Sequence, residues 1–211
     1  MTGSGGSCWG VWAVICLVLV RHGESTANRD RLVPGRLLGA ELTDLGVRQA
    51  RLAAEQVARL VVGSVRVMAS DAKRAHQTAA MVAERLGETV EATELLREQY
   101  LGDLEGRPVS QLAPEPVPAG FDISEVAWGG GESIAQLHIR MRQLLDELAG
   151  RPDLPETVVL VGHGHTMAVL VAVLAGRGHR EVDWVADALP LGGVRAMMWR
   201  PERWGSLRQP G

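Results

Sequence analysis

"LVLVRHGES" at Leu17–Ser25 and "VVLVGHGHT" at Val158–Thr166 echo one another across the chain. In each, an aliphatic run feeds directly into a His-Gly pair. A short run of branched apolar residues bounded by turn signals fits a strand buried on both faces. His22 and His163 then stand at the carboxyl ends of two such strands. In open α/β sheets, ligands bind in the crevice beyond those ends, so two histidines far apart in sequence can meet at one site. The glycine after each is expected to let the chain turn sharply and to bring backbone N–H groups close to a ligand.

The stretches between the echoes alternate helix with strand. Thr43 is a candidate N-cap for a helix running to Val62, with Val47, Ala50, Ala54, Val57 and Val61 at helical spacing. "SVRVMAS" predicts a strand ending at Ser70, and "KRAHQTAAMVAERLG" a helix closed by Gly87. A short strand is expected through Val90, after which Leu95–Gly106 shows no periodicity. Residues 108–131, with Pro114, Pro116, Pro118 and three consecutive glycines, suggest a lid-like loop. "ESIAQLHIRMRQLLDELAG" predicts a helix burying Ile134, Leu137, Met141, Leu144, Leu145 and Leu148. An apolar helix to Gly176 and a last strand in "VRAMMW" complete the series. The expected fold is a single α/β domain over residues 1–211, a three-layer sandwich whose central, mostly parallel sheet is flanked by helices. Residues 1–10 are expected to be a flexible N-terminus and 201–211 a tail.

The composition is that of a globular chain of 211 residues, 46% hydrophobic, with mean hydropathy +0.03 and net charge −3. Such a balance offers no footprint for nucleic acid or an anionic membrane surface. Val11–Val20 is apolar but shorter than the roughly 20 residues a bilayer span needs, and Met1–Gly10 carries no Lys or Arg for a secretory leader. A core strand is the reading taken for it. Cys8 and Cys16 match no zinc spacing and form no disulfide framework, which points to a reducing cytoplasm. Trp9 and Trp12 have no evident role. Arginine supplies nearly all the basic charge, Lys73 being the single lysine.

The residues near the two histidines suit phosphoryl chemistry. Arg21 precedes His22, Asn28 follows within reach of a short turn, and Arg74 opens a helix just past the "MAS" strand end. Guanidinium groups match phosphate oxygens bidentately and stay charged. An imidazole in a buried cationic place is biased toward its neutral form, which keeps a lone pair for attack. His22 could therefore take a phosphoryl group that water later removes. No metal-ligand spacing is present, and no metal or other cofactor is expected.

Six ordered blocks carry a wider resemblance: "VRHGESTAN", "LTDLGVRQA", "SDAKRAHQTA", "LREQYLGDLEG", "GGGES" and "VVLVGHG". From about Val18 to Gly176 the chain resembles the histidine phosphatase superfamily in its phosphoglycerate-mutase-like branch. The resemblance implies His22 as nucleophile, with Arg21, Arg74 and His163 lining a phosphate pocket to which Asn28 and Gly164 contribute. It implies Glu98, in "LREQYLGDLEG", as proton donor, with Glu105 as the local rival. An aspartate directly after the second histidine, used by other members, is replaced here by Gly164. Ser25 and His165 are further candidate substrate contacts, whereas His76, His138 and His179 are expected on the surface or on helix faces. Where many relatives carry Gln-Gly after the first motif, this chain has Pro34-Gly35, which alters one wall of the pocket.

Three functions follow for comparison. Gln99–Gly131 holds one basic residue, Arg107, against Asp103, Glu105, Glu115, Asp122 and Glu125, so the lid offers little to a second anionic group. That favours a phosphomonoesterase for a small phosphorylated metabolite over a phosphomutase. A non-catalytic binder of phosphorylated ligands is the third, opposed by the presence of every catalytic side chain. Phe121 and Trp128 are the expected apolar contacts of the lid. No nucleic acid or membrane partner is expected, and a homodimer stays open.

Overall fold

The computed structural model describes residues 14–202; the expectations for Cys8, Trp9, Trp12, the N-terminal residues 1–10 and residues 203–211 of the tail fall outside them. Five strands form one sheet: β1 (Ile15–Arg21), β2 (Val65–Ala69), β3 (Val90–Ala92), β4 (Thr157–Gly162) and β5 (Val194–Trp199), in the order β3-β2-β4-β1-β5. All pairings are parallel except that of β5, which runs antiparallel on the edge beside β1. The sheet is thus the mostly parallel one expected.

Side-chain alternation along the strands creates two cores. Leu17, Leu19, Val158 and Leu160 face one side, where they meet Leu137, Met141, Leu144, Leu145 and Leu148 of α4 (Ile134–Ala149). On the same side lies α5 (Gly164–Leu174), apolar nearly all round because it is enclosed between the sheet and its neighbours. Val18, Val20, Val159 and Val161 face the other way, against α2 (Asp44–Leu60) and α3 (Lys73–Leu86). Small residues such as Ala53, Ala79 and Ala83 let those two helices approach closely. A strand with helices on both faces must be apolar throughout, and the central strands are.

Caps end the helices where the sequence signals them. Thr43 Oγ1 accepts from Gly46 N at 3.1 Å at the start of α2, and Gly87 closes α3 in the left-handed conformation, φ 73°. The four-residue α1 (Thr26–Arg29), not anticipated from periodicity, is closed by a reciprocal Ser25–Asn28 capping box. Leu95–Gly106 has no periodicity because it is built from two separate 3-10 turns, Glu94–Leu96 and Gly102–Leu104. Its carbonyls are gripped one by one: Arg140 donates to Leu95 O at 2.6 Å and Arg97 O at 2.8 Å.

His138 takes the second of the two places expected, a helix face, and not the surface. It lies on the inner face of α4, 9% exposed, with Nε2 donating to Arg177 O at 3.0 Å. His76 is exposed and His179 half-buried. Among the described residues no helix is long and apolar enough to cross a membrane.

Leu160 sits on the central strand with no exposed surface. Leu160→Ala should lower the unfolding free energy by about 2–5 kcal/mol. Leu52→Ala, at a site 65% exposed, should change it by no more than about 0.5 kcal/mol. Urea midpoints of the two variants measure both.

Candidate active site

Strand register brings the two histidines together. β1 and β4 are paired with Arg21 opposite Gly162, so the next residue of each is a histidine emerging from the same end of the sheet. His22 N donates to Gly162 O at 3.0 Å, and the His22 and His163 ring centroids lie 5.1 Å apart. β2 adds Ser70 beside them, its N–H bonded to Val161 O.

Each imidazole has its tautomer set by a fixed partner. His22 Nδ1 lies 2.6 Å from Gly23 O, an acceptor only, so Nδ1 carries the hydrogen and Nε2 the lone pair. Arg74 Nε donates to that lone pair at 3.3 Å. His163 Nε2 is 2.9 Å from the hydroxyl of fully buried Ser70, whose proton has no other acceptor among the described residues and so goes to the ring. His163 Nδ1 then keeps a hydrogen, and it is buried with no partner. Burial and then the Arg74 charge, with Arg21 adding to it, push the His22 pKa down to about 3 against the pull of the Gly23 carbonyl. His163 is held well below the usual imidazole range by burial, Arg74 and His22. Both rings are neutral at ordinary pH.

The cations beside them are locked in place. Arg74 has no exposed surface, and its two terminal nitrogens donate to Leu37 O at 2.6 Å and Gly35 O at 2.9 Å. The altered Pro34-Gly35 segment therefore holds this guanidinium through backbone carbonyls. Arg21 donates through one terminal nitrogen to Leu189 O at 2.9 Å, while its Nε is buried without a partner. Gly164 lies flat against that guanidinium: a Cβ there would come 3.2 Å from Arg21 Cζ.

Glu98 lies 9% exposed at the N-terminus of α5. Its Oε1 accepts from Gln99 N at 3.0 Å and from Thr166 N and Oγ1, each at 3.1 Å, and Oε2 accepts from His165 N at 3.3 Å. Burial pushes this carboxyl up. The His165 and His163 rings where they are protonated, and the Gln99 and Thr166 N–H donors throughout, outweigh that and draw it well below the usual carboxylate range. Glu105 is engaged elsewhere, accepting from Arg36 N at 2.8 Å and Leu101 N at 3.0 Å.

A cleft of about 560 Å³ is lined among others by Arg21, Asn28, Glu98, Gly164 and His165, while His22, Arg74 and His163 are buried next to these residues and are not part of its lining. Asn28 Oδ1 accepts from Ser25 N at 3.0 Å and Ser25 Oγ at 2.7 Å, which leaves its NH2 end for a ligand. Ser25 itself is fully buried in that capping box and does not line the cleft; a side chain spent on closing a four-residue helix is not a substrate contact. His165 does line it. Gln99 Nε2 donates to Glu132 O at 2.7 Å, so Gln99 Oε1 faces His165 Nδ1, 2.7 Å away, and His165 Nε2 is left with the lone pair.

Three other expectations change. Gly23 does not turn at a positive φ or offer its N–H to a ligand. Its N–H goes to Thr78 Oγ1 at 3.2 Å, and a Cβ would stand 2.3 Å from Gly46 O, so the glycine is there for close backbone approach to α2. Gly164 likewise has no positive φ and begins a helix. Phe121 is 59% exposed and, like Trp128, does not line the cleft. Leu101, Val109 and Trp184 provide the apolar walls instead, and Trp184 packs edge-on to His165 at 5.2 Å. Trp184 comes from a segment without helical or strand periodicity, and only its size marked it. Among the described residues no group of three or more His, Cys, Asp and Glu side chains is placed to hold a metal ion.

Comparison with known proteins places this geometry in a family. Residues 17–208 match the model of the histidine phosphatase superfamily (branch 1). Over 162 residues the chain is 36% identical to a probable phosphoglycerate mutase of Yersinia enterocolitica, spanning 75% of this chain and 74% of that one. A mycobacterial glucosyl-3-phosphoglycerate phosphatase, solved in complex with VO3, superposes with a TM-score of 0.71 at 29% identity over 87% of this chain and 97% of that one. A putative alpha-ribazole-5'-P phosphatase of Escherichia coli K-12 gives a TM-score of 0.73 at 25% identity, over 87% and 90%.

The buried neutral imidazoles make stability depend on pH. Below an unfolded-state pKa of 6.5 the unfolded chain binds a proton at His22 that the native state refuses until about pH 3. Stability is therefore full above 6.5 and falls with pH through that window, by about 2 kcal/mol at pH 5 for this one ring. His22→Asn, which cannot take the proton, should show a smaller loss between pH 7 and pH 5, as measured by urea unfolding at each pH.

Proposed function

The chain belongs to the histidine phosphatase superfamily, and from that membership we propose that it is a metal-independent phosphomonoesterase acting on a small phosphorylated metabolite through a phosphohistidine on His22. One observation carries the proposal: buried Arg21 Nε and His163 Nδ1–H, two donors with no acceptor among the described residues, lie beside the His22 ring, whose Nε2 carries the lone pair that only Arg74 engages. Buried donors need acceptors, and the oxygens of a phosphoryl group under attack by Nε2 are acceptors of the right charge. Arg74, already 3.3 Å from Nε2, supplies a further donor. These fixed cations neutralise the equatorial oxygens without reorganising.

The first half-reaction forms the Nε2–P bond and breaks the P–O ester bond, and the leaving oxygen takes a proton from Glu98. In the second half, Glu98 takes a proton from water as the water oxygen attacks phosphorus and the P–N bond breaks. Glu98, held below the usual carboxylate range, is anionic before substrate binds, so its proton must come with the substrate. A phosphate ester with a second pKa near 6 arrives partly as the monoanion, and like-charge repulsion between dianion and carboxylate drives that proton onto Glu98. The setting proposed is the reducing cytoplasm, in keeping with the free buried thiol of Cys16.

Hydrolysis is preferred to mutase action because the cleft is open to water: His165 at its mouth is exposed, and Trp184 is 45% exposed. A mutase must keep water from the phosphoenzyme. Phosphate release from a panel of monoesters, with and without chelator, tests the proposal. Turnover unaffected by chelator is expected, and its loss in His22→Ala. Isomerisation of 3-phosphoglycerate, primed with 2,3-bisphosphoglycerate, that outruns phosphate release would favour the mutase instead. Glu98→Gln should slow alkyl phosphates by about 10²–10³-fold and p-nitrophenyl phosphate far less, because that leaving group departs without protonation.

A further inference from the structure

Arg31 is the only residue other than glycine at positive φ among the described residues, at φ 54°. It follows the C-cap of α1 in the left-handed position usually given to glycine or asparagine. An arginine gains nothing locally from that conformation, so the backbone is held there by its surroundings. Arg31 N donates to Asn28 O at 3.1 Å, Val109 N donates to Arg31 O at 2.9 Å, and Leu32 bridges Pro108. Both flanking attachments belong to the cleft wall, since Asn28 and Val109 also line it.

The result is a cation at the mouth of the cleft. Arg31 lines it and is exposed, and its side chain has no hydrogen-bond or ion-pair partner among the described residues. The nearest carboxylate in sequence, Asp30, is taken by Arg29 at 2.9 Å. Of the other charged groups lining the cleft, Arg21 and Glu98 serve the phosphoryl group in the mechanism above. Leu32, Leu101 and Val109 supply apolar wall to the same cleft. Strain stored at a functional cleft commonly reflects a side chain that must be presented there.

We propose that Arg31 is a specificity-determining residue that binds a second anionic group of the substrate, a carboxylate or a second phosphate, at the mouth of the cleft. The inference rests on the phosphomonoesterase reading and names its substrate class: a phosphomonoester carrying another negative charge beyond a short carbon body. The lid's acidic composition pointed away from such substrates because the cation comes from the turn after α1 instead.

Two matched pairs test it on the full chain: 3-phosphoglycerate against glycerol 3-phosphate, and fructose 1,6-bisphosphate against fructose 6-phosphate. The first pair isolates a carboxylate and the second a phosphate. In the native enzyme one anionic member should have the lower KM. Arg31→Met should raise that KM about tenfold, leave kcat within about twofold, and leave unchanged the KM of the counterpart that lacks the second anionic group. Equal changes for both members, or none, would overturn the inference. Ligand-induced shifts in Tm read the same discrimination without turnover, so failure of hydrolysis sinks the phosphatase reading while binding still decides this one. Arg31→Asn, suited to the left-handed backbone, should keep the ligand-free Tm at or above that of the native protein and lose the discrimination. A lower Tm would mean that the arginine is structural and would also overturn the inference.

Discussion

The parallel pairing of β1 with β4, in the register that sets Arg21 opposite Gly162, is the constraint on which the site depends. A slip by one residue would turn every side chain of a strand to the other face of the sheet. Such a slip would bury the wrong alternation of Leu and Val and would separate the rings that now stand 5.1 Å apart. The two cores therefore fix the catalytic geometry as well as the fold. Buried strand residues that touch no reacting group, such as Leu19 and Val161, hold His22 and His163 in place by refusing any other register.

Electrostatic arrangement follows from that frame. Two neutral imidazoles and two desolvated guanidinium groups are kept together by partners that cannot move away: backbone carbonyls for His22 and Arg74, a serine hydroxyl for His163. The carboxylate of Glu98 balances them and is itself held by the N-terminus of α5, where backbone N–H groups and the helix dipole favour negative charge. Buried donors without acceptors among the described residues are costly in stability, and the two apolar cores offset that cost.

The sequence made much of this legible because buried strands and motif ends are local signals. The aliphatic runs before His22 and His163, Thr43 as a cap and Gly87 as a stop each depend on a few neighbouring residues. What escaped depends on tertiary closure. Trp184 and Arg31 reach the cleft from segments whose periodicity says nothing about direction, and the 54° φ of Arg31 has no signature in an arginine codon. Gly23 looked like a turn, yet what requires it is the backbone of Gly46, placed there by helix packing. Ser25 looked available because a short polar residue beside a motif does not disclose that α1 uses it as a cap. His138 could be placed no more closely than surface or helix face, because the carbonyl that satisfies it lies thirty-nine positions away.

The central claim concerns one atom, His22 Nε2. Acid-labile, alkali-stable phosphoprotein trapped by rapid quenching during turnover, followed by mapping of the labelled peptide, tests it most directly. The account predicts a single phosphorylated site, on His22, whose label disappears at the rate of phosphate release. Label on His163 or on any other residue, or steady turnover with no phosphoenzyme on this time scale, would contradict it.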